Sequence, residues 1–265
     1  MTGLFTKGDG LSCEDVYLSI DDDKIQRTTF TYGEKFFLNF SDMSGFKKNG
    51  ETVFPGMSLY VTGASGDTAM EAEDLYVNNA DGFTVSPLLL TTYLTVASPI
   101  HSGKEYTLFV DIWDKKGKGT FSAKLDFDVI PNPQIHVESN VSYDEIYLFS
   151  RKDNKVVLDN TVVSGEDIFM LFEGLSGFAA DNNTIYPGLG VQVKDETGAI
   201  IMDYADLFEE HSETGIPVSD FTEMVSARLS FPEGMSEKTM QCAITVWDKK
   251  GSGKVKATTS LTLKE

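Results

Sequence analysis

The sequence predicts an all-β protein made of two tandem copies of one β-sandwich domain, and three observations predict it. The first is internal duplication. Residues 33–76 align with residues 165–208 at a constant offset of 132, without a gap and with 15 identities in 44 positions. The second is strand periodicity, because apolar residues recur every second position through most of each half. The third is punctuation: turn-forming stretches such as GASGD, DETGA and the near-identical heptapeptides WDKKGKG (113–119) and WDKKGSG (247–253) separate those runs. A repeat of about 130 residues suits an independent domain and is too long for a solenoid unit.

The elements follow in chain order. Phe36, Leu38 and Phe40 alternate along one strand, and Met57, Leu59 and Val61 along the next. Tyr106, Leu108, Val110 and Ile112 form a third inward set; Phe121, Ala123, Leu125, Phe127 and Val129 form a fourth. The second half repeats them with Ile168, Met170 and Phe172, then Leu189, Val191 and Val193. Met240, Cys242, Ile244 and Val246 follow, and Val255, Ala257, Leu261 and Leu263 close the series. Stretches 70–76 and 203–210 read as an edge strand or a single turn. Pro131-Asn132-Pro133 stops a strand and marks the boundary, giving a first domain over 1–133 with an N-terminal lead and a second over 134–265. About seven to eight strands per unit with no alternating helices indicate a sandwich.

The run GEKFFLNF followed by SGF and a strand, and the last hairpin VDIWDKKGKGTFSAKLDFDV, resemble the Ig-like sandwiches of bacterial surface and secreted proteins. The resemblance implies two tandem Ig-like domains lacking the inter-sheet disulfide and core Trp of antibody-type domains. It also implies that the SGF loop and the last hairpin share a pole. The first strand of each unit is expected to start at that pole, so the linker is expected to enter the second unit beside WDKKGSG.

Formal net charge is −19. Acidic residues outnumber basic ones 19 to 11 before Pro133 and 22 to 11 after it, so a nucleic acid backbone or an anionic membrane surface is not the expected partner. No run of 18 apolar residues is present. The N-terminal MTGLFTKGDGLSC lacks the basic and apolar regions of a signal peptide, so an exported form would have had its signal removed. Cys13 and Cys242 occupy non-equivalent places and read as two separate thiols.

His101, His136 and His211 are scattered and have no partner at metal-ligand spacing. Nucleophile-elbow, P-loop and dinucleotide signatures are absent. Asp74/Asp206 and Glu34/Glu166 recur in both units, as structural carboxylates do. No cofactor is expected; for calcium, Asp21-Asp22-Asp23 and Asp181-Asn182-Asn183 are the available oxygen clusters, neither matching an EF-hand loop.

Strict alternation puts Trp113 and Trp247 on the face opposite the core, at the lip of the last hairpin. Trp113, Asp114, Lys115, Phe46 and Phe54 are the candidate binding residues, with no catalytic or metal residues assigned; the repetition of the motif in both units favours the other reading of the tryptophan, packing over the SGF and Pro-Gly loop of its own unit. The expected function is a non-enzymatic cell-surface or periplasmic adhesion, binding or scaffold protein whose partner is an extracellular protein or glycan. The alternative is a carbohydrate-active accessory or hydrolytic enzyme with its site between the domains.

Overall fold

The computed structural model describes residues 3–84, 86–235 and 238–264. The chain divides into two compact units, Met1–Ile130 and Pro131–Glu265. Each is an antiparallel sandwich of two sheets, the Ig-like arrangement.

In the first unit the larger sheet runs, neighbour by neighbour, Leu4–Asp9, Thr120–Ile130, Lys104–Asp114, Pro55–Gly63 and Thr68–Ala72. The short strand Thr29–Thr31 joins it, parallel to the end of Thr120–Ile130. The smaller sheet runs Asp23–Ile25, Asp15–Ile20, Lys35–Ser41 and Leu90–Thr95. The second unit repeats this plan. Its larger sheet runs His136–Ser139, Lys254–Lys264, Thr239–Asp248, Pro187–Asp195 and Ile200–Tyr204, with Thr161–Val163 parallel to the last strand. Its smaller sheet runs Lys155–Val156, Glu145–Ser150, Asp167–Glu173 and Val225–Ser230.

The alternating residues explain why the sheets close on one another. All of Phe36, Leu38, Phe40, Met57, Leu59, Val61, Tyr106, Leu108, Val110 and Ile112 are buried, as are their second-unit counterparts. Burying one such side chain contributes about 1.5–3 kcal/mol, so each face is fixed by its period of two, and a one-residue slip would expose it. In the first unit Phe30 stacks on Phe36 at 4.0 Å, and Phe127 meets both rings edge-on. Cys242 is 2% exposed inside the second core, and Cys13 lies in the other unit, so both thiols are free.

Three features depart from the sequence reading. The N-terminal lead is a strand: Leu4–Asp9 runs antiparallel along Thr120–Ile130, and His136–Ser139 does the same along Lys254–Lys264. These added strands correct the expected entry of the linker. Glu145–Ser150 does start beside the SGF loop, but His136–Ser139 first carries the chain up to it from the far end of the unit. There Asn132 donates through its side-chain amide to the carbonyl oxygens of Val157 and Leu158 and to Asn160 Oδ1. The third feature is a short helix, Val218–Glu223, which alternation did not foresee. It packs on Thr184–Ile185, the middle strand of a small three-stranded sheet with Ala180–Asp181 and Ile216–Pro217.

Candidate functional site

The heptapeptide, the SGF loop and the Phe-Pro-Gly or Tyr-Pro-Gly turn meet at one pole of each unit. Trp113 pairs across the sheet with Gly56, and Trp247 with Gly188. Each indole lies half-buried against the outer face of the larger sheet. It lies so close to its glycine that a Cβ there would fall 2.1 Å from the indole Cε2 in both units. Gly56 and Gly188, at the start of their strands, thus leave the space in which the tryptophan sits.

The next residue turns inward. Asp114 and Asp248 are each 6% exposed. Asp114 accepts from the backbone N–H of Lys47 at 2.6 Å and of Lys116 at 2.9 Å; Asp248 accepts from Ala179 at 2.5 Å and Lys250 at 2.9 Å. One carboxyl group thus pins the SGF loop to the hairpin and caps the turn, satisfying backbone N–H groups of both. Gly117 and Gly251 press on these carboxylates.

The first lysine reaches a second repeated carboxylate. Lys115 pairs with Asp74 at 2.8 Å and donates to the carbonyl oxygen of Tyr76 at 2.9 Å. Lys249 pairs with Asp206 at 2.6 Å and donates to the carbonyl oxygen of Phe208 at 3.1 Å. Burial works to raise the pKa of Asp74 and Asp206. The lysine ammonium, with the N–H groups of Tyr76 and Met57 or of Phe208 and Leu189, outweighs it and holds both carboxyls below their ordinary range. The second lysine lies over an aromatic face, Lys116 at 5.0 Å from the Phe54 ring centre and Lys250 at 3.0 Å from that of Tyr186. Ser44 and Ser176 exchange backbone hydrogen bonds with Ser12 and Ser142.

The structure thus brings Phe46, Phe54, Trp113, Asp114 and Lys115 to one pole and engages Asp114 and Lys115 in the framework. The repeated carboxylates Glu34 and Glu166 are engaged in ion pairs of their own, with Arg27 and Lys152 respectively. His101 lies parallel to Tyr32, and His136 and His211 sit 3.6 Å from Glu138 and Glu210. Asp21 and Asn182–Asn183 take left-handed turn conformations. Among the described residues no group of three or more His, Cys, Asp or Glu side chains is gathered as a metal would require.

What the two poles do not share is the ground beside SGF. In the second unit Phe178 is buried, and Phe221 of the short helix meets it edge-on at 4.7 Å while itself only 1% exposed. Leu175 and Ile185 belong to the same cluster. In the first unit the counterparts Met43, Phe46 and Val53 line an open cleft of about 570 Å³, completed by Leu88 and rimmed by Glu14, Asp42, Lys48 and Glu51. The cause is chain length. Phe83 bridges Val53 as Ile216 pairs with Ile185, and Leu90 pairs with Phe40 as Val225 pairs with Phe172. Between those fixed points lie six residues in the first unit and eight in the second, and the helix that carries Phe221 occupies six of the eight.

Sequence reasoning missed this cleft. The readable signs were the two-residue length difference and Asp42, which aligns with Gly174 in the ungapped repeat. Both positions are left-handed, with φ of 52° and 69°.

No family model and no curated protein sequence matches the chain. Among solved structures, the chain is similar to the C-terminal domain of wzt at 9% identity, over 50% of this chain and 80% of that one, with a TM-score of 0.35. It is also similar to fibronectin(III)-like modules of CbhA from Clostridium thermocellum at 11% identity, over 93% and 94% of the two chains, with a TM-score of 0.22. A third similarity is to the C-terminal domain of the AgI/II polypeptide BspA from Streptococcus agalactiae, at 12% identity over 93% and 99%, with a TM-score of 0.28.

Proposed function

We propose that the chain is a non-enzymatic binding module of the cell surface, periplasm or extracellular space, serving adhesion or scaffolding. On this reading it recognises a protein or glycan through the hairpin pole of its first unit. The observation that carries the reading is the contrast between the poles: one framework, built twice, is filled by the protein's own Phe221 in the second unit, whereas no ring among the described residues takes that place in the first. Phe46 supplies the floor of the contact surface, while Phe54 and Trp113 belong to the same pole but stand outside the lining of the cleft. Asp114 and Lys115 hold these residues in register. A preformed hollow that sets polar groups around an aromatic side chain is a usual form of a recognition site. The residues that recur in both units have structural partners, and the reading needs neither metal nor cofactor.

The test is a combined peptide and glycan array probed with the whole chain and with Phe46→Ala. Ligands retained by the wild type, lost by the variant and recovered unaltered support the reading. A ligand that is hydrolysed, with turnover abolished by changing a single carboxylate or serine, overturns it.

A further inference from the structure

The second unit also indicates what the open cleft accepts. Phe221 fills the equivalent place with a phenyl ring set edge-on to the SGF phenylalanine, its helix packed on the strand Thr184–Ile185; in the first unit Met43, Val53 and Leu88 are buried and Phe46 is the partly exposed aromatic of the cleft. Where a protein fills a hollow with its own aromatic ring in one copy, the same hollow left open in the other copy fits an aromatic ring from outside.

Charge narrows the class further. Lys48 is 3.7 Å from Glu51, so these two offset one another. Glu14 and Asp42 form no ion pair among the described residues, and both are exposed at the rim. At the positions of Asp42, Lys48 and Glu51 the second unit carries Gly174, Ala180 and Asn183, so the first unit's rim is the more charged. With Glu14 and Asp42 exposed at the rim, a cationic group beside the cleft is the complementary partner.

We infer that the first unit's cleft binds a peptide segment presenting an aromatic side chain flanked by lysine or arginine, the ring against Phe46 and the cations toward Glu14 and Asp42. This inference rests on the binding reading above and names its ligand class.

The experiment is a titration of the whole chain with the blocked peptide Gly-Lys-Phe-Lys-Gly, followed by calorimetry and by backbone amide shifts. Gly-Lys-Ala-Lys-Gly and Gly-Glu-Phe-Glu-Gly serve as controls. The lysine–phenylalanine peptide binds, shifts the amides of Met43–Phe46, and binds at least tenfold more tightly than either control. Phe46→Ala weakens it at least tenfold, and Glu14→Gln weakens it about threefold while removing part of its salt dependence. Circular dichroism establishes that both variants are folded. No binding, or equal binding of the three peptides, overturns the inference. The arrays separate the two failures. Ligands that depend on Phe46 but lack the aromatic–cation pattern, a glycan included, overturn this inference and leave the binding reading standing. Ligands indifferent to the pole overturn both.

Discussion

Gly56→Ala tests the framework reading of the heptapeptide at its tightest point. The added methyl would sit 2.1 Å from Trp113 Cε2, whereas non-bonded carbons rest about 3.5–4.0 Å apart, so the ring must retreat by about 1.5 Å or more. The backbone beneath it belongs to a nine-residue strand paired on both sides and cannot yield as easily as the side chain. An indole buries about 150–250 Å² when packed, and losing roughly 80 Å² of contact at about 25 cal/mol per Å² costs ~2 kcal/mol. The chain has only two tryptophans, one per unit, so a Trp247→Phe background makes Trp113 the sole indole reporter of the first unit. Urea unfolding followed by its emission should show a red-shifted folded state and a transition destabilised by ~2 kcal/mol. Gly63→Ala in the same strand is the control: nothing lies within 4 Å of its added Cβ, and its effect should stay within about 0.5 kcal/mol. Unchanged emission and stability in Gly56→Ala would refute the reasoning, because the indole could not then be seated on that glycine.

Other predictions concern the contrast between the units and their charged and thiol groups. Phe221→Ala empties a fully buried site and should cost the second unit about 3–5 kcal/mol, read from Trp247 emission in a Trp113→Phe background. Half-buried Phe46→Ala should cost the first unit less than about 1.5 kcal/mol. The carboxyls of Asp74 and Asp206 are held below their ordinary value, so their contribution is fully present above about pH 4 and is lost as pH falls through the folded-state value. Acid unfolding of Asp74→Asn with Asp206→Asn should accordingly show a shallower loss of stability below pH 4 than the wild type. Burial pushes the Cys242 thiol up to about 12, so a thiol reagent at pH 8 should leave it unmodified until the second unit unfolds.

Much of the fold was legible because burial imposes a period of two on the long strands of the larger sheets. Tyr106 to Ile112 and Met240 to Val246 alternate cleanly, and the inward faces follow at once. Strands outside that rule escaped notice. Leu4–Asp9 adds to the edge of a sheet and is exposed along most of its length, so its sequence carries no alternation to read. His136–Ser139 is similar, and missing it reversed the expected end at which the linker meets the second unit. The helix at Val218–Glu223 is too short to display a helical period; a single residue, Phe221, anchors it. The heptapeptide was legible as a turn, but its partners were not. Trp113 against Gly56 and Asp114 against the Lys47 amide join residues far apart in sequence, and only the topology brings them together. The alignment of the two halves contained the contrast that matters most, Asp42 opposite Gly174 and six residues opposite eight. Its meaning depends on knowing that Phe221 fills the space.

The central claim is that one framework is built twice and that residues differing between the units, Asp42 opposite Gly174 first among them, adapt the first unit's pole for recognition through the shared Phe46. Asp42→Gly tests it most directly, because it imports the second unit's own residue at a left-handed position that glycine adopts freely. Titrated with the lysine–phenylalanine peptide, this variant should bind about threefold more weakly than the wild type, with a melting temperature no lower. Unchanged affinity in a folded variant would contradict the account.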